Sequence, residues 1–244
     1  NAKRDGKSKA QLLQELSPIR GVYVPSLKTD DTCVVRRIVS DLDGAVFTGK
    51  PIVPYLGIVH DRVALEVMRG CTRGCRFCQA GYIYRPIRER KSETLMELAR
   101  QQIGCTGYDE VSLLSLSTGD YSEVHKLVPE IIREMEAGKV SVALPSLRVD
   151  SELANDLSVM QTVRKAGLTF APEAGTQRLR DVINKNVTED DILRATQDAF
   201  SAGWSSVKLY FMIGLPTETD EDILGIAQLA RKVSWQFYQL PKEL

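Results

Sequence analysis

Residues 63–78 read VALEVMRGCTRGCRFC. The first six residues form a mostly apolar run, which is typical of a strand covered by helices. The run leads into Cys71, Cys75 and Cys78, whose spacing is C-x3-C-x2-C. Three cysteines so close together make a poor disulfide framework and are typical of metal ligands. The stretch therefore predicts a strand that leads into a metal-binding loop.

Helices and strands alternate after this loop. We predict further strands over 111–116, 140–144, 168–171 and 206–213, and helices over 92–103, 121–137, 151–165, 188–202 and 220–233. Five β-α repeats favour parallel strands joined by right-handed crossovers. We expect an α/β fold, a partial (β/α) barrel of the TIM-like type, with a doubly wound open sheet as the alternative. In such barrels the chemistry lies at the carboxyl ends of the strands.

The segment before the first strand has an irregular pattern. A helix is predicted over 10–16 and a strand over 32–39, and glycines and prolines interrupt residues 44–54. We interpret residues 1–60 as a lead-in that packs against a core formed by residues 61–244. A six-unit barrel needs another strand after this core, so we expect the barrel to be truncated at its C-terminal end.

Composition limits the classes of partner. The 244 residues carry 32 acidic and 32 basic side chains, so no global field attracts nucleic acid or an anionic membrane. No apolar run approaches the length of a membrane span. The N-terminal segment is polar and basic, unlike a signal peptide. We expect a cytoplasmic protein.

Three thiolates can bind three irons of a [4Fe-4S] cluster and leave the fourth iron open. An open iron can bind the amino and carboxylate groups of S-adenosylmethionine (SAM), and one electron can then break the sulfur–C5′ bond. The alternative is a zinc site with a fourth ligand from His60, Cys105 or Cys33. Zinc motifs usually come as two separated pairs, and the sequence has no second pair.

The motif C-x3-C-x-aromatic-C after a first barrel strand resembles the radical SAM superfamily, over about residues 60–235. The resemblance implies an enzyme that cleaves SAM to a 5′-deoxyadenosyl radical. It implies two cofactors: SAM, and a [4Fe-4S] cluster on Cys71, Cys75 and Cys78. Phe77, just before the third cysteine, is expected to pack on the adenine.

The same resemblance implies contacts to the polar end of SAM. Gly119 and Asp120 end the second strand and match the motif that meets the SAM amino group, with aspartate in place of the commoner glutamate. A helix N-cap is the alternative role for Asp120. Arg148 ends the third strand and is expected to bind SAM or substrate, or else to form an ion pair.

Two later segments complete the resemblance. Residues 171–179 imply that Glu173 lies near the ribose hydroxyls and that Arg178 meets the SAM carboxylate, with a solvated helix-face arginine as the alternative. Residues 211–219 read FMIGLPTET and resemble the fifth-strand motif beside the adenine. The backbone from Met212 to Gly214 is expected to face the base.

Residues 51–91 resemble a subgroup, the bacterial radical SAM proteins with an N-terminal cobalamin-binding-like domain, which are relatives of the methylthiotransferases of tRNA and ribosomal protein. The chain lacks a D-x-H-x-x-G cobalamin signature and the three additional cysteines of a methylthiotransferase. The resemblance implies further domains in the full-length protein, a reductant such as flavodoxin or ferredoxin, and an RNA or protein substrate. It does not assign the specific reaction.

Two other functions stay open from the sequence. One is a non-catalytic iron–sulfur or zinc-binding scaffold. The other is an RNA-binding module that uses the aromatic and basic residues 82–91. For these residues we favour the alternative of a solvated loop.

Overall fold

The computed structural model describes residues 4–29, 31, 33–144, 148–149 and 168–240. The chain divides into two compact units, Asn1–Ser40 and Asp41–Leu244. In the first unit, helix α1 (Lys9–Leu16) begins at Ser8, whose hydroxyl accepts the backbone N–H of Gln11 in a capping box. The strand predicted over 32–39 is wrong for the residues described there, 33–39, which form no strand. Branched side chains favour a strand only when a partner strand is present.

The second unit alternates strands and helices, as predicted. Its elements are β1 (Val63–Glu66), β2 (Met68–Arg69), α2 (Gln79–Ile83), β3 (Arg88–Glu89), α3 (Ser92–Thr106), β4 (Glu110–Leu114), α4 (Val124–Ala137), β5 (Ser141–Ala143), β6 (Leu168–Glu173), α5 (Gln177–Val182), α6 (Glu189–Ser201), β7 (Val207–Phe211) and α7 (Asp220–Gln239). The helix predicted over 151–165 lies outside the described residues. The unit begins at Asp41, and a domain boundary at residue 60 stays a prediction.

The longer strands are parallel. One sheet has the order β1-β4-β5, with Val63 opposite Val111 and Glu110 opposite Ser141. A second parallel pair joins β6 and β7, with Leu168 opposite Val207. β2 and β3 form a short antiparallel ribbon. Within the described residues these sheets do not close into a barrel, so the fold is a partial one.

The core of the second unit lies between the first sheet and its helices. Leu65 and Leu113 are fully buried on neighbouring strands, and Leu127 and Ile131 are fully buried on α4. The buried positions of α4 recur every three to four residues, so one face of the helix packs inward. Each such side chain contributes roughly 2 kcal/mol by leaving water. Among the described residues, no helix combines the length and apolar character that crossing a bilayer needs.

Helix starts show where local signals suffice and where they do not. Thr188 and Asp191 have capping-box spacing in the sequence, and the box is present at the start of α6. Ser92, followed by Glu93, has the sequence features of an N-cap, but it is the first residue of α3, and the cap position is Lys91. The backbone N–H of Ser92 donates to the Glu123 carboxylate at 2.7 Å. An N–H group in the first turn has no acceptor within its own helix, and here a residue 31 positions later in the chain supplies the acceptor.

Candidate functional site

The cysteine loop, residues 71–78, directly follows β2. Gly70, just before the loop, and Gly74, within it, have φ values of +95° and +71°. A Cβ on Gly70 would lie 2.8 Å from the carbonyl oxygen of Tyr84 and 3.0 Å from that of Pro86. Only glycine permits both this backbone conformation and this close approach.

The three cysteines carry free thiols, with Cys75 buried and Cys71 and Cys78 half-buried. The Sγ of Cys71 accepts the backbone N–H of Arg73 at 3.5 Å. The Sγ of Cys78 accepts the backbone N–H of Gly81 at 3.4 Å. Hydrogen bonds to sulfur are among the features that set the reduction potential of an iron–sulfur cluster. The loop thus offers three thiols, two of them with backbone donors in place, and it fits such a cluster.

In the part of the chain that the structure describes, no three histidine, cysteine, aspartate or glutamate side chains are arranged to hold a single metal ion. In a [4Fe-4S] cluster each cysteine binds a different iron, so the thiols stand further apart than ligands that share one ion. The absence of such a group among the described residues is therefore compatible with a cluster on this loop.

A turn far along the chain holds the cysteine loop in place. We name residues 182–185 the clamp turn. Its Asn184 donates from Nδ2 to the carbonyl oxygen of Gly74 at 2.9 Å, across 110 positions of sequence. Its Ile183 accepts the backbone N–H of Arg76 at 2.9 Å. The Arg76 guanidinium donates to the carbonyl just before Ile183. Three hydrogen bonds therefore join the loop to this turn.

Asp120 lies at the carboxyl end of β4, in a 3₁₀ turn (Thr118–Asp120) that contains Gly119. Its carboxylate accepts Nε of Arg73 and Oγ of Ser117, each at 2.7 Å. Burial raises the pKa of Asp120, but hydrogen bonds from Arg73 and Ser117 outweigh burial and hold the pKa below its usual value. The alternative role as helix N-cap is wrong, because α4 begins after Glu123. An ionised carboxylate therefore lies against the cysteine loop.

Glu173 ends β6 with a φ of +69°, a conformation uncommon outside glycine. Its carboxylate accepts Nζ of Lys185, the last residue of the clamp turn, at 3.0 Å. Lys185 is only 8% exposed, and its Nζ lies 6.0 Å from the centroid of the Phe77 ring. The carbonyl oxygen of Lys185 accepts Nη2 of Arg148 at 2.9 Å. Lys185 thus brings three predicted site residues together.

Sequence reasoning missed Lys185 and Asn184. Both lie in a polar stretch after a short helix, where asparagine and lysine are ordinary surface residues. Their role becomes visible only when the turn that contains them is placed beside a loop 110 positions earlier. The charge of Arg148 also helps to lower the pKa of Asp120. The ends of three predicted strands, which carry Asp120, Arg148 and Glu173, therefore lie close together.

The fifth-strand motif adjoins the same group of residues. The backbone N–H of Met212 donates to the Glu173 carbonyl at 2.8 Å. The backbone N–H of Gly214, where φ is +88°, donates to the Glu218 carboxylate at 2.6 Å. Two N–H groups of the backbone predicted to face the adenine, those of Met212 and Gly214, are therefore bonded within the protein.

Arg178 lies apart from this group, in α5, and its side chain bonds the start of α7. Its Nη2 donates to the Thr217 carbonyl at 2.9 Å and to the carboxylate of Asp222. Asp222 is buried, and hydrogen bonds from Thr176 and then Arg178 hold its pKa far below the usual value. The Arg178 side chain is half exposed yet paired, which corrects the alternative of a solvated helix-face arginine.

A model of the radical SAM superfamily matches residues 65–230. An uncharacterised protein of Methanocaldococcus jannaschii, MJ0966, is 44% identical over 169 residues, which are 69% of this chain and 36% of that protein. The tRNA-2-methylthio-N(6)-dimethylallyladenosine synthase of Carboxydothermus hydrogenoformans is 26% identical over 204 residues, which are 79% of this chain and 45% of that protein. The chain spans less than half the length of these relatives.

A similar fold is known from a solved structure. The radical S-adenosylmethionine methyltransferase TsrM of Kitasatospora setae, with cobalamin and a [4Fe-4S] cluster bound, matches with a TM-score of 0.59 at 12% identity. The match covers 70% of this chain and 34% of that one. It confirms the predicted α/β fold with parallel strands.

Proposed function

Because the chain belongs to the radical SAM superfamily, we propose that Cys71, Cys75 and Cys78 hold a [4Fe-4S] cluster whose open iron binds SAM. When bound and reduced, the cluster supplies the electron that divides SAM into methionine and a 5′-deoxyadenosyl radical. One observation carries the assignment: Arg73 and the clamp turn tie the cysteine loop to the ends of β4 and β6, which carry Asp120 and Glu173.

Family membership confirms the prediction of a radical SAM enzyme domain and of its two cofactors, a [4Fe-4S] cluster and SAM. Enzymes of this kind need an electron donor and a substrate. We propose a flavodoxin or ferredoxin as the donor and a cytoplasmic location. The chain spans less than half of its relatives, so the reaction on the substrate is also a proposal.

The charges of the site suit the polar end of SAM. We propose that Asp120 accepts hydrogen bonds from the SAM ammonium, since its pKa is lowered and it stays ionised at neutral pH. Arg148 is the better candidate for the SAM carboxylate, because it lies near Asp120 and bonds Lys185. Arg178, the other candidate, is held by Asp222.

The contacts to the adenine and the ribose hydroxyls of SAM are assigned from the same group of residues. Phe77, 41% exposed, offers a ring to the adenine. We propose that Glu173 accepts from the ribose hydroxyls and that the backbone from Met212 to Gly214 borders the base. The hydrogen bond between Met212 and Glu173 keeps these two contacts side by side.

The proposal is tested by anaerobic reconstitution with iron and sulfide, followed by reduction and EPR with and without SAM. We expect a reduced [4Fe-4S] signal that changes when SAM is added, and 5′-deoxyadenosine as a product. Alanine at Cys71, Cys75 or Cys78 is expected to abolish the signal. Alanine at Cys33 or Cys105, both exposed, is the matched control and should leave it unchanged. Bound zinc without iron and sulfide would overturn the proposal.

For the substrate we propose RNA, with protein as the alternative. The observation in favour is a surface just after the cysteine loop. Tyr82 and Tyr84 are each 50% exposed, and the Arg85 guanidinium lies 4.9 Å from the centroid of the Tyr82 ring. Exposed aromatic rings stack on bases and arginines bind phosphates. The test is RNA affinity that falls with salt and is reduced in Tyr84→Ala but not in Tyr210→Ala, an equally exposed tyrosine of β7.

A further inference from the structure

We propose that Asn184 is a positioning residue: its amide fixes the cysteine loop, and its backbone carries Lys185 to Glu173, so that the cluster and the SAM contacts keep one geometry. This inference rests on the proposed cluster site. It concerns a residue outside the sequence motifs, and its evidence is the conformation and bonding of the clamp turn.

Position 184 makes two demands, and of glycine, asparagine and aspartate only asparagine satisfies both. Its φ is +54°, in the left-handed region that glycine, asparagine and aspartate enter most readily. Its side chain also donates a hydrogen bond, which glycine lacks and an ionised aspartate cannot do. Two positions on, Asn186 has a similar φ of +52° but is exposed. Asn186 therefore shares the backbone demand and provides a control.

The bond from Asn184 reaches the middle of the cysteine loop. Gly74 lies between Cys71 and Cys75, and its carbonyl accepts both Asn184 Nδ2 at 2.9 Å and the Tyr82 hydroxyl at 3.3 Å. The Asn184 amide packs directly on this glycine, since a Cβ there would lie 3.5 Å from Nδ2. The loop is thus anchored from outside at its midpoint, between two of the proposed iron ligands.

Lys185, the next residue, connects this anchor to Glu173, which is the proposed contact for the SAM ribose. Lys185 is nearly buried and bonds the Glu173 carboxylate at 3.0 Å. A displacement of the clamp turn would therefore move both the loop and the partner of Glu173. Groups around a metal centre that orient its ligands tune its potential and its affinity for the bound molecule. We infer that Asn184 affects both properties without touching either cofactor.

The test compares Asn184→Gly and Asn184→Asp with Asn186→Gly and Asn186→Asp, in the whole chain. Glycine and aspartate both tolerate the left-handed backbone at this position, and both lose the amide donor. After anaerobic reconstitution we expect the Asn184 variants to show a shifted reduction potential and altered EPR line shape. We expect SAM binding about fivefold weaker, the size of effect that the loss of one hydrogen bond produces. The Asn186 variants should match the wild type.

A second readout needs no cluster. In the apo chain, amide hydrogen exchange over residues 71–78 should be faster in Asn184→Gly than in Asn186→Gly, while exchange in α4 stays the same. Wild-type potential, spectra and SAM affinity in the Asn184 variants would overturn the inference, as would a lowered melting temperature with an unchanged cluster. If the wild type itself builds no SAM-responsive cluster, the proposed function fails, and that result is visible without any variant.

Discussion

Arg73, between the first two cysteines of the loop, donates its Nε to the carboxylate of Asp120 at 2.7 Å. The pair joins the cysteine loop to the end of β4, and both side chains are largely shielded from water. It places the Asp120 carboxylate beside the cysteine loop, and this carboxylate is the proposed acceptor for the ammonium group of SAM. The ammonium and Arg73 would then share one carboxylate, which has two oxygens and several acceptor positions.

The first prediction concerns Asp120→Asn. The amide keeps the shape of the carboxylate but removes the charge that attracts the SAM ammonium. A hydrogen bond to a charged group contributes about 1.5–3 kcal/mol, so we expect SAM to bind about tenfold or more weakly. Isothermal titration of the reconstituted chain measures this. Asp120→Glu retains the charge and should lose less, and equal losses in the two variants would contradict the role assigned to the charge.

The same substitution is expected to change how the melting temperature depends on pH. A carboxylate whose pKa is lowered in the folded state stabilises the fold above its unfolded pKa of about 3.9, and this stability is lost as the pH falls through the lower folded value. The pKa of Asp120 is lowered in this way. The melting temperatures of apo wild type and Asp120→Asn should therefore differ by a constant amount from pH 5 to 8 and begin to converge below about pH 4. A difference that does not narrow as the pH falls below that value would show that shape, not charge, is at work.

How much of this site the sequence predicts depends on how far apart its partners lie. The C-x3-C-x2-C loop and the capping box at Thr188 are local, so spacing alone predicts them. Asn184 and Lys185 act on residues that are 110 and 12 positions away, and no periodicity marks them. Their role depends on where the short helix α5 ends, which is decided by packing.

Gly175 lies in the turn between β6 and α5, and a distant helix also constrains it. A Cβ on Gly175 would lie 2.2 Å from the backbone nitrogen of Ile226 and 2.5 Å from the carbonyl carbon of Gly225. The two glycines thus bring α7 into backbone contact with the turn that follows Glu173. This contact was invisible in the sequence because Gly225 lies within a helix, where glycine usually only weakens the structure.

Gly175→Ala is therefore expected to be strongly destabilising, because the neighbouring atoms belong to the backbone and cannot rotate away. Gly104→Ala is the matched control. Gly104 lies in α3 with open space at its Cβ position, and alanine there should stabilise the chain by about 0.5–1 kcal/mol. Chemical unfolding of both apo variants measures the contrast. Similar stabilities would show that α7 can shift freely away from the turn.

Lys185 and Glu173 provide a test of coupling. Lys185→Met keeps the long apolar stem and leaves the largely buried Glu173 carboxylate without this partner. We expect a loss of about 1–3 kcal/mol in unfolding free energy, since a buried acceptor is left unpaired. Glu173→Gln should cost less, and in the double variant much of the cost of Lys185→Met should disappear. A double-mutant cycle measures the coupling, and strict additivity would contradict a direct interaction.

The side chain of Arg180 is fully buried in α5, and its role is structural. Its guanidinium donates to the carbonyl oxygens of Ala174 and Val187, each at 3.0 Å, and of Gly175 at 3.3 Å. Burial lowers its pKa, but an arginine pKa starts so high that the group stays charged at neutral pH. It therefore fixes the backbone on both sides of α5, just after Glu173 and just after the clamp turn.

Arg180→Met should consequently destabilise the chain by several kcal/mol, because it leaves three buried carbonyl groups without this donor. Arg180→Lys should rescue only part of the loss, since an ammonium group cannot reproduce the fork of a guanidinium. The control is Arg194→Met on α6, where an exposed pair with Asp191 is expected to contribute less than about 1 kcal/mol. Urea unfolding of the three apo variants measures these differences. Full rescue by lysine would mean that the charge alone, and not the fixed directions of the guanidinium donors, holds the backbone on both sides of α5.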